Sequence, residues 1–291
     1  MVGAAVSVQT GAAVATLLFD DVGATGVLAL RVGIGALLLG LLTRVWRSRI
    51  ARSALPAVLG YAAVLGGMNL LFYLAIERIP LGVGVALELL GPTAVALLGS
   101  RRPLDLVWTA LAVAGVVVLV APRLVASSSA GALDLVGVAL AMAAGACWGG
   151  YILLGARVGA RVPGTAGLAW ALLAAGIVLV PLGVAGAGSA LLRPEVLAVG
   201  AAVAVLSAVL PYSLELVALR RVSTRAFGVM TSLQPAVATA AGFAIAAQRP
   251  GLLPLLGVVL VVAASLGAAP WARREPDTTA PARSDVPSMP G

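Results

Sequence analysis

The sequence predicts an all-α polytopic membrane protein. It predicts ten transmembrane helices in two five-helix inverted repeats, with both termini cytoplasmic. Three observations lead there. First, 61% of the 291 residues are hydrophobic and only 10% are charged, whereas a soluble domain is nearer half apolar and a quarter charged. Second, ten apolar runs approach the roughly 20 residues that a span needs. Third, the arginines gather in alternate connections between those runs.

The first run covers 2–19. It lacks a basic leading segment and ends at Asp20–Asp21, so it is expected to be a span and not a cleaved signal. The second, 25–43, contains Arg31 and leads into Arg44, Arg47, Arg49 and Arg52. The third, 55–76, carries Asn69 and Tyr73 four residues apart, on one helical face. The fourth, 81–99, contains Glu88 and the Gly91–Pro92 pair. The fifth is 104–121.

The sixth, 133–154, holds Cys147, Trp148 and Tyr151, the last two on one face. The seventh is 165–186. The eighth, 196–219, contains Pro211, Tyr212 and Glu215; Tyr212 and Glu215 share a face. The ninth, 226–246, places Thr231 three residues before Gln234, and the tenth is 251–269. From Trp271 onward the chain is polar and proline-rich, so residues 270–291 are expected to be a disordered cytoplasmic tail.

Orientation follows from the arginines, which are retained preferentially on the cytoplasmic side. With the N-terminus inside, fourteen fall in inside segments, against Arg78, Arg123, Arg193 and Arg249 outside. Arg31 lies within a span.

The two halves can be superposed with Pro92 over Pro235. Ala75 then meets Ala218, Arg78 meets Arg221 and Leu90 meets Leu233. Repeats of 1–121 and 133–269 have five spans each. Because five is odd, the second must enter from the opposite side. Inverted repeats of this kind characterise secondary transporters, whose substrate sites lie between the halves near the midplane.

Composition excludes several classes. The net charge of +8 comes entirely from arginines in short clusters between apolar runs, with no aromatic-basic groove for nucleic acid. There is no histidine and a single cysteine, so no metal site or cofactor is expected. An integral membrane enzyme would be expected to carry clustered nucleophiles or acids at one face. A channel would show a filter-like repeat.

The stretch "GGMNLLFYLAIERIPLGVGVALELLGPTAVALLGSRRPLDLVW", with "GACWGGYIL" and "LPYSLELVALRRVSTRAFGVMTSLQPA", resembles the EamA group of the drug/metabolite transporter superfamily. The resemblance runs from about Gly23 to Ala269. It implies the ten-helix inverted repeat and a place in the bacterial cytoplasmic (inner) membrane. It also implies export of small, threonine- or homoserine-like amino acids coupled to the proton gradient. A hydrophobic cation, drug or sugar conjugate is the alternative cargo. The expected partners are a small-molecule substrate and the lipid bilayer; a homodimer is allowed but not required.

Three ionisable residues lie well inside spans: Arg31, Glu88 and Glu215. Glu88 sits on the order of 10 Å below the outer surface at about 1.5 Å per residue, too deep to reach water through lipid. It must face a cavity, pair with a cation or carry a proton, and intramembrane acids are by default functional. A buried glutamate that locks helices together is the alternative. Pro92 cannot donate to the Glu88 carbonyl, which would leave that oxygen free for an ammonium or a water.

Glu215 is either a second coupling acid or a partner for Arg220. Arg31, about 9 Å deep, either anchors a substrate carboxylate, pairs with Glu88, or snorkels outward to Asp20 and Asp21. Asn69, Tyr73, Pro92, Trp148, Tyr151, Tyr212, Thr231 and Gln234 are candidate substrate-lining residues, with contact between helices as the alternative for each polar one.

Overall fold

Helix is the one regular element among the described residues, as expected where lipid offers no hydrogen bonds to the backbone. The computed structural model describes residues 2–48, 50–98, 104–125, 133–162, 166–211 and 231–268. Eleven α-helices lie in these stretches: α1 (Val2–Thr16), α2 (Phe19–Thr43), α3 (Leu55–Ile76), α4 (Leu81–Glu88), α5 (Leu90–Leu98), α6 (Asp105–Val125), α7 (Leu135–Gly159), α8 (Ala166–Ala187), α9 (Pro194–Ala204), α10 (Gln234–Ala246) and α11 (Leu252–Ala268). A π-helical turn, Val205–Val209, extends α9.

Five of these stretches are long and apolar enough to cross a membrane: Phe19–Thr43, Arg52–Ile76, Leu81–Leu98, Leu135–Gly159 and Ala166–Leu192. Shorter apolar helices supply much of the rest. The outer surface is greasy: Leu37, Leu106, Ile177 and Phe243 are each more than 60% exposed. Exposed large apolar side chains this numerous make an extensive apolar surface, which suits hydrocarbon better than water.

Two features depart from a plain reading of the runs. The fourth run is two helices, α4 and α5, broken at Leu89. Pro92, the third residue of α5, has no N–H, so the ladder resumes only at Thr93, which donates to the Leu89 carbonyl at 3.1 Å. A matching break falls at Leu233, just before Gln234 and Pro235. α2 starts ahead of the second run and is kinked at Gly23, whose φ of +65° favours glycine. The kink exposes the N–H of Ala24, and Glu77 accepts it at 2.9 Å. Glu77 therefore caps the helix that restarts at Ala24.

Packing is tight where small residues meet. α2 lies along α8, α3 along α7, and α6 along α11. α7 carries Gly145 and Gly149 one turn apart, a spacing that allows close approach. A Cβ on Gly145 would lie 2.7 Å from the Glu88 carbonyl oxygen, and one on Gly91 would collide with the Gly145 carbonyl. The α4–α5 break is thus seated directly on the backbone of α7. A buried hydroxyl chain supports it from the other side: Thr93 to Ser265 at 3.1 Å and Ser265 to Ser232 at 3.0 Å.

Polar contacts join the connections that the arginine count assigns to one side. Arg193 pairs with Asp21 at 2.8 Å, and Arg78 with Asp134 at 3.2 Å. Gln248 accepts the Leu81 N–H at 2.9 Å. On the side assigned to the cytoplasm, the Trp170 indole donates to Ser48 at 3.3 Å.

Candidate functional site

A cavity of about 270 Å³ lies where α1, α2, α3, α4, α7, α8, the π-helical turn after α9 and the start of α10 converge. Its walls are mainly apolar, among them Val32, Leu65, Met68 and Leu172. Into it project Arg31, Asn69, Tyr73, Glu88, Trp148, Tyr151, Thr231 and Gln234, together with Gln9 and Ser207. Mostly apolar walls with a few convergent polar groups are the ordinary composition of a small-molecule site.

Arg31 reaches inward from α2. Its Nη1 donates to Asn69 Oδ1, and its guanidinium centre lies 5.4 Å from the centroid of the Tyr73 ring. Asn69 is oriented in turn by donating Nδ2 to the Leu65 carbonyl at 2.8 Å. The outward route to Asp20 and Asp21 is not taken; Asp21 is engaged by Arg193. Among the described residues, Arg31 Nε and the Tyr73 hydroxyl are buried with no hydrogen-bond partner. Buried polar atoms of this kind are costly unless something completes them.

Glu88 occupies the last turn of α4 and is 9% exposed. Among the described residues no ion pair or hydrogen bond reaches its carboxylate, and Arg31 is not bonded to it. The carboxylate faces the cavity; its own carbonyl does not serve it. That oxygen, expected to be free, is instead covered by Gly145 of α7. Pro92 is not among the lining residues. Its contribution is the break that ends α4 at Glu88.

The remaining polar groups lie around the same space. Gln9 of α1 and Gln234 of α10 approach across it at 3.5 Å. Tyr151 stacks on Tyr61 with ring centroids 4.8 Å apart, so one face of Tyr151 is taken by the protein. Glu215 and Tyr212 lie outside the described residues. Gln9 and Ser207 were not singled out from the sequence. Gln9 had a usable signal, a lone amide in an apolar run; Ser207 had none, because serine is common in packed membrane helices.

Fold and site together define a multi-pass membrane transporter: a helical body with an apolar exterior and a small charged cavity at its centre. The chain belongs to the EamA-like transporter family, whose model matches residues 135–269. It is 46% identical to the threonine/homoserine exporter RhtA of Salmonella typhimurium over 270 residues, covering 93% of this chain and 90% of that protein. The RhtA of Escherichia coli is likewise 46% identical over 269 residues, covering 92% and 90%. A solved crystal structure with 20% identity covers 92% of this chain and 94% of its own, with a TM-score of 0.59, a likeness of fold alone.

Proposed function

We propose that this protein exports small zwitterionic amino acids, of the threonine or homoserine kind, across the bacterial cytoplasmic (inner) membrane by proton antiport. The observation that carries it is the pair of opposite charges left unjoined in one cavity. Arg31 and the Tyr73 hydroxyl suit a substrate carboxylate, with bidentate geometry available to the guanidinium. Glu88 suits the ammonium. The volume is at or just below the low end of the roughly 300–1,000 Å³ usual for ligand sites, which suits a small amino acid better than a drug. A hydrophobic cation would satisfy Glu88 but be repelled by Arg31.

Antiport follows if proton and ammonium exclude one another at Glu88. Substrate enters from the cytoplasm when the carboxylate is bare. A proton arriving from outside neutralises it, weakens the hold on the ammonium and releases the amino acid outward. The apo carrier then returns its proton inward.

The ten-span inverted repeat with cytoplasmic termini is part of this proposal, and the packing supports it. If each span of the first half corresponds to the one five later, α2 against α8, α4 against α10 and α6 against α11 are contacts between equivalents. The contact of α3 with α7 then has its counterpart in α1 with α9, and that of α5 with α7 in α1 with α10. The paired breaks at Leu89 and Leu233 fall within one residue of each other in the Pro92–Pro235 superposition.

The test is counterflow of labelled threonine in proteoliposomes, with and without a proton gradient. Uptake that ignores the gradient removes the antiport claim. Failure of threonine and homoserine to exchange, with exchange of a cationic drug, removes the substrate class.

A further inference from the structure

Asn69 is buried on α3 one turn before Tyr73. Its Nδ2 donates to Leu65, which leaves Oδ1 as the acceptor, and Oδ1 takes Nη1 of Arg31. The Tyr73 ring faces the same guanidinium at 5.4 Å. Two neutral groups therefore fix a full positive charge without neutralising it. Glu88 lines the same cavity, yet no ion pair joins the two.

Opposite charges attract strongly where water is scarce, and arginine is long and flexible. Released from α3, Arg31 would be drawn to the carboxylate. Closing that pair would remove both charges from the cavity at once. An aspartate at the same position would neutralise Arg31, and an aliphatic residue would release it. Asparagine alone of these supplies an acceptor that binds the guanidinium and leaves its charge available.

We propose that Asn69 is a positioning residue that keeps Arg31 apart from Glu88, and that this separation selects zwitterions over simple amines. The inference rests on the amino-acid reading above. It is tested by titration calorimetry of the purified full chain with threonine and with 1-amino-2-propanol, which is threonine without its carboxylate.

Wild type binds threonine at least about tenfold more tightly than the amine, the scale of a charge-assisted hydrogen bond. Asn69→Asp loses threonine affinity by at least about tenfold and does not weaken the amine, which no longer meets an uncompensated Arg31 charge. Arg31→Gln does the same, and adding Asn69→Ala to it changes threonine binding no further, because Asn69 acts through Arg31.

Equal weakening of both ligands by Asn69→Asp, no weakening of either, or an additive double variant overturns the role of Asn69. A second arm does not need Asn69→Asp to fold. In the Arg31→Gln background, Asn69→Ala leaves amine affinity within about threefold; a tenfold loss there makes Asn69 a structural residue and overturns the proposal. Wild type that binds neither ligand, or binds both equally, overturns the amino-acid reading itself, and the role of Asn69 falls with it.

Discussion

Arg31 of α2 and Glu88 of α4 line one cavity and form no ion pair. A free pair of opposite charges in a sparsely hydrated space is unstable unless the protein holds both apart or a ligand bridges them.

Glu88→Gln keeps shape and hydrogen bonding but removes the charge and the proton site. Proton-driven threonine export is expected to fall at least about a hundredfold, in the range of losses seen when a general acid or base is removed. The remaining activity should be flat with external pH. The measurement is initial efflux from loaded vesicles at several pH values; an unchanged pH profile counts against Glu88 as the coupling group.

Arg31→Lys keeps the charge and loses the planar fork and the stacking on Tyr73. Threonine affinity should drop about tenfold or more, roughly 1.4 kcal/mol. Thermal stability should change little, because the Asn69 acceptor remains available to an ammonium. Competition against labelled threonine, read beside a melting curve, checks both halves.

Gly91→Ala places a methyl on the Gly145 carbonyl, and Gly145→Ala places one 2.7 Å from the Glu88 carbonyl. Neither neighbour is a flexible side-chain end, so the helices must part. Each is expected to cost about 1–3 kcal/mol, with Gly91→Ala the worse. Gly159→Ala, which meets nothing within 4 Å, is the control. Melting midpoints in one detergent order the three.

Asp134 is the N-cap of α7, one residue ahead of the stretch Leu135–Gly159 that is long and apolar enough to cross a membrane, and accepts the Val136 N–H at 2.8 Å. That bond, helped by Arg78, holds its carboxyl below the ordinary aspartate range. A lowered folded value stabilises the protein above the ordinary range, and the benefit is lost as pH falls through the folded value. Asp134→Ala should therefore cost about 1 kcal/mol near neutral pH and progressively less in acid. Asp134→Asn, which can still cap, should be nearly neutral. A pH series of melting curves for the three proteins decides it.

Much of this was legible in the residues. Hydropathy marked the helices because each run must satisfy its own backbone in lipid. Arg31 and Glu88 stood out because charge in hydrocarbon is costly enough to demand a reason. Pro92 announced a break, since a missing N–H is a local fact of the chain. What the residues could not say is where each charge would turn. Arg31 had three open routes, toward the outer aspartates, toward Glu88 or toward a ligand. The choice was made by Asn69 and Tyr73 on another helix and by Arg193, which engages Asp21 from far along the sequence. The Glu88 carbonyl tells the same story: Pro92 frees it, and Gly145 covers it. Sequence determined which groups had to be accounted for, because propensity and desolvation act locally. Tertiary structure decided their partners, because those depend on which helices pass within a few ångströms of one another.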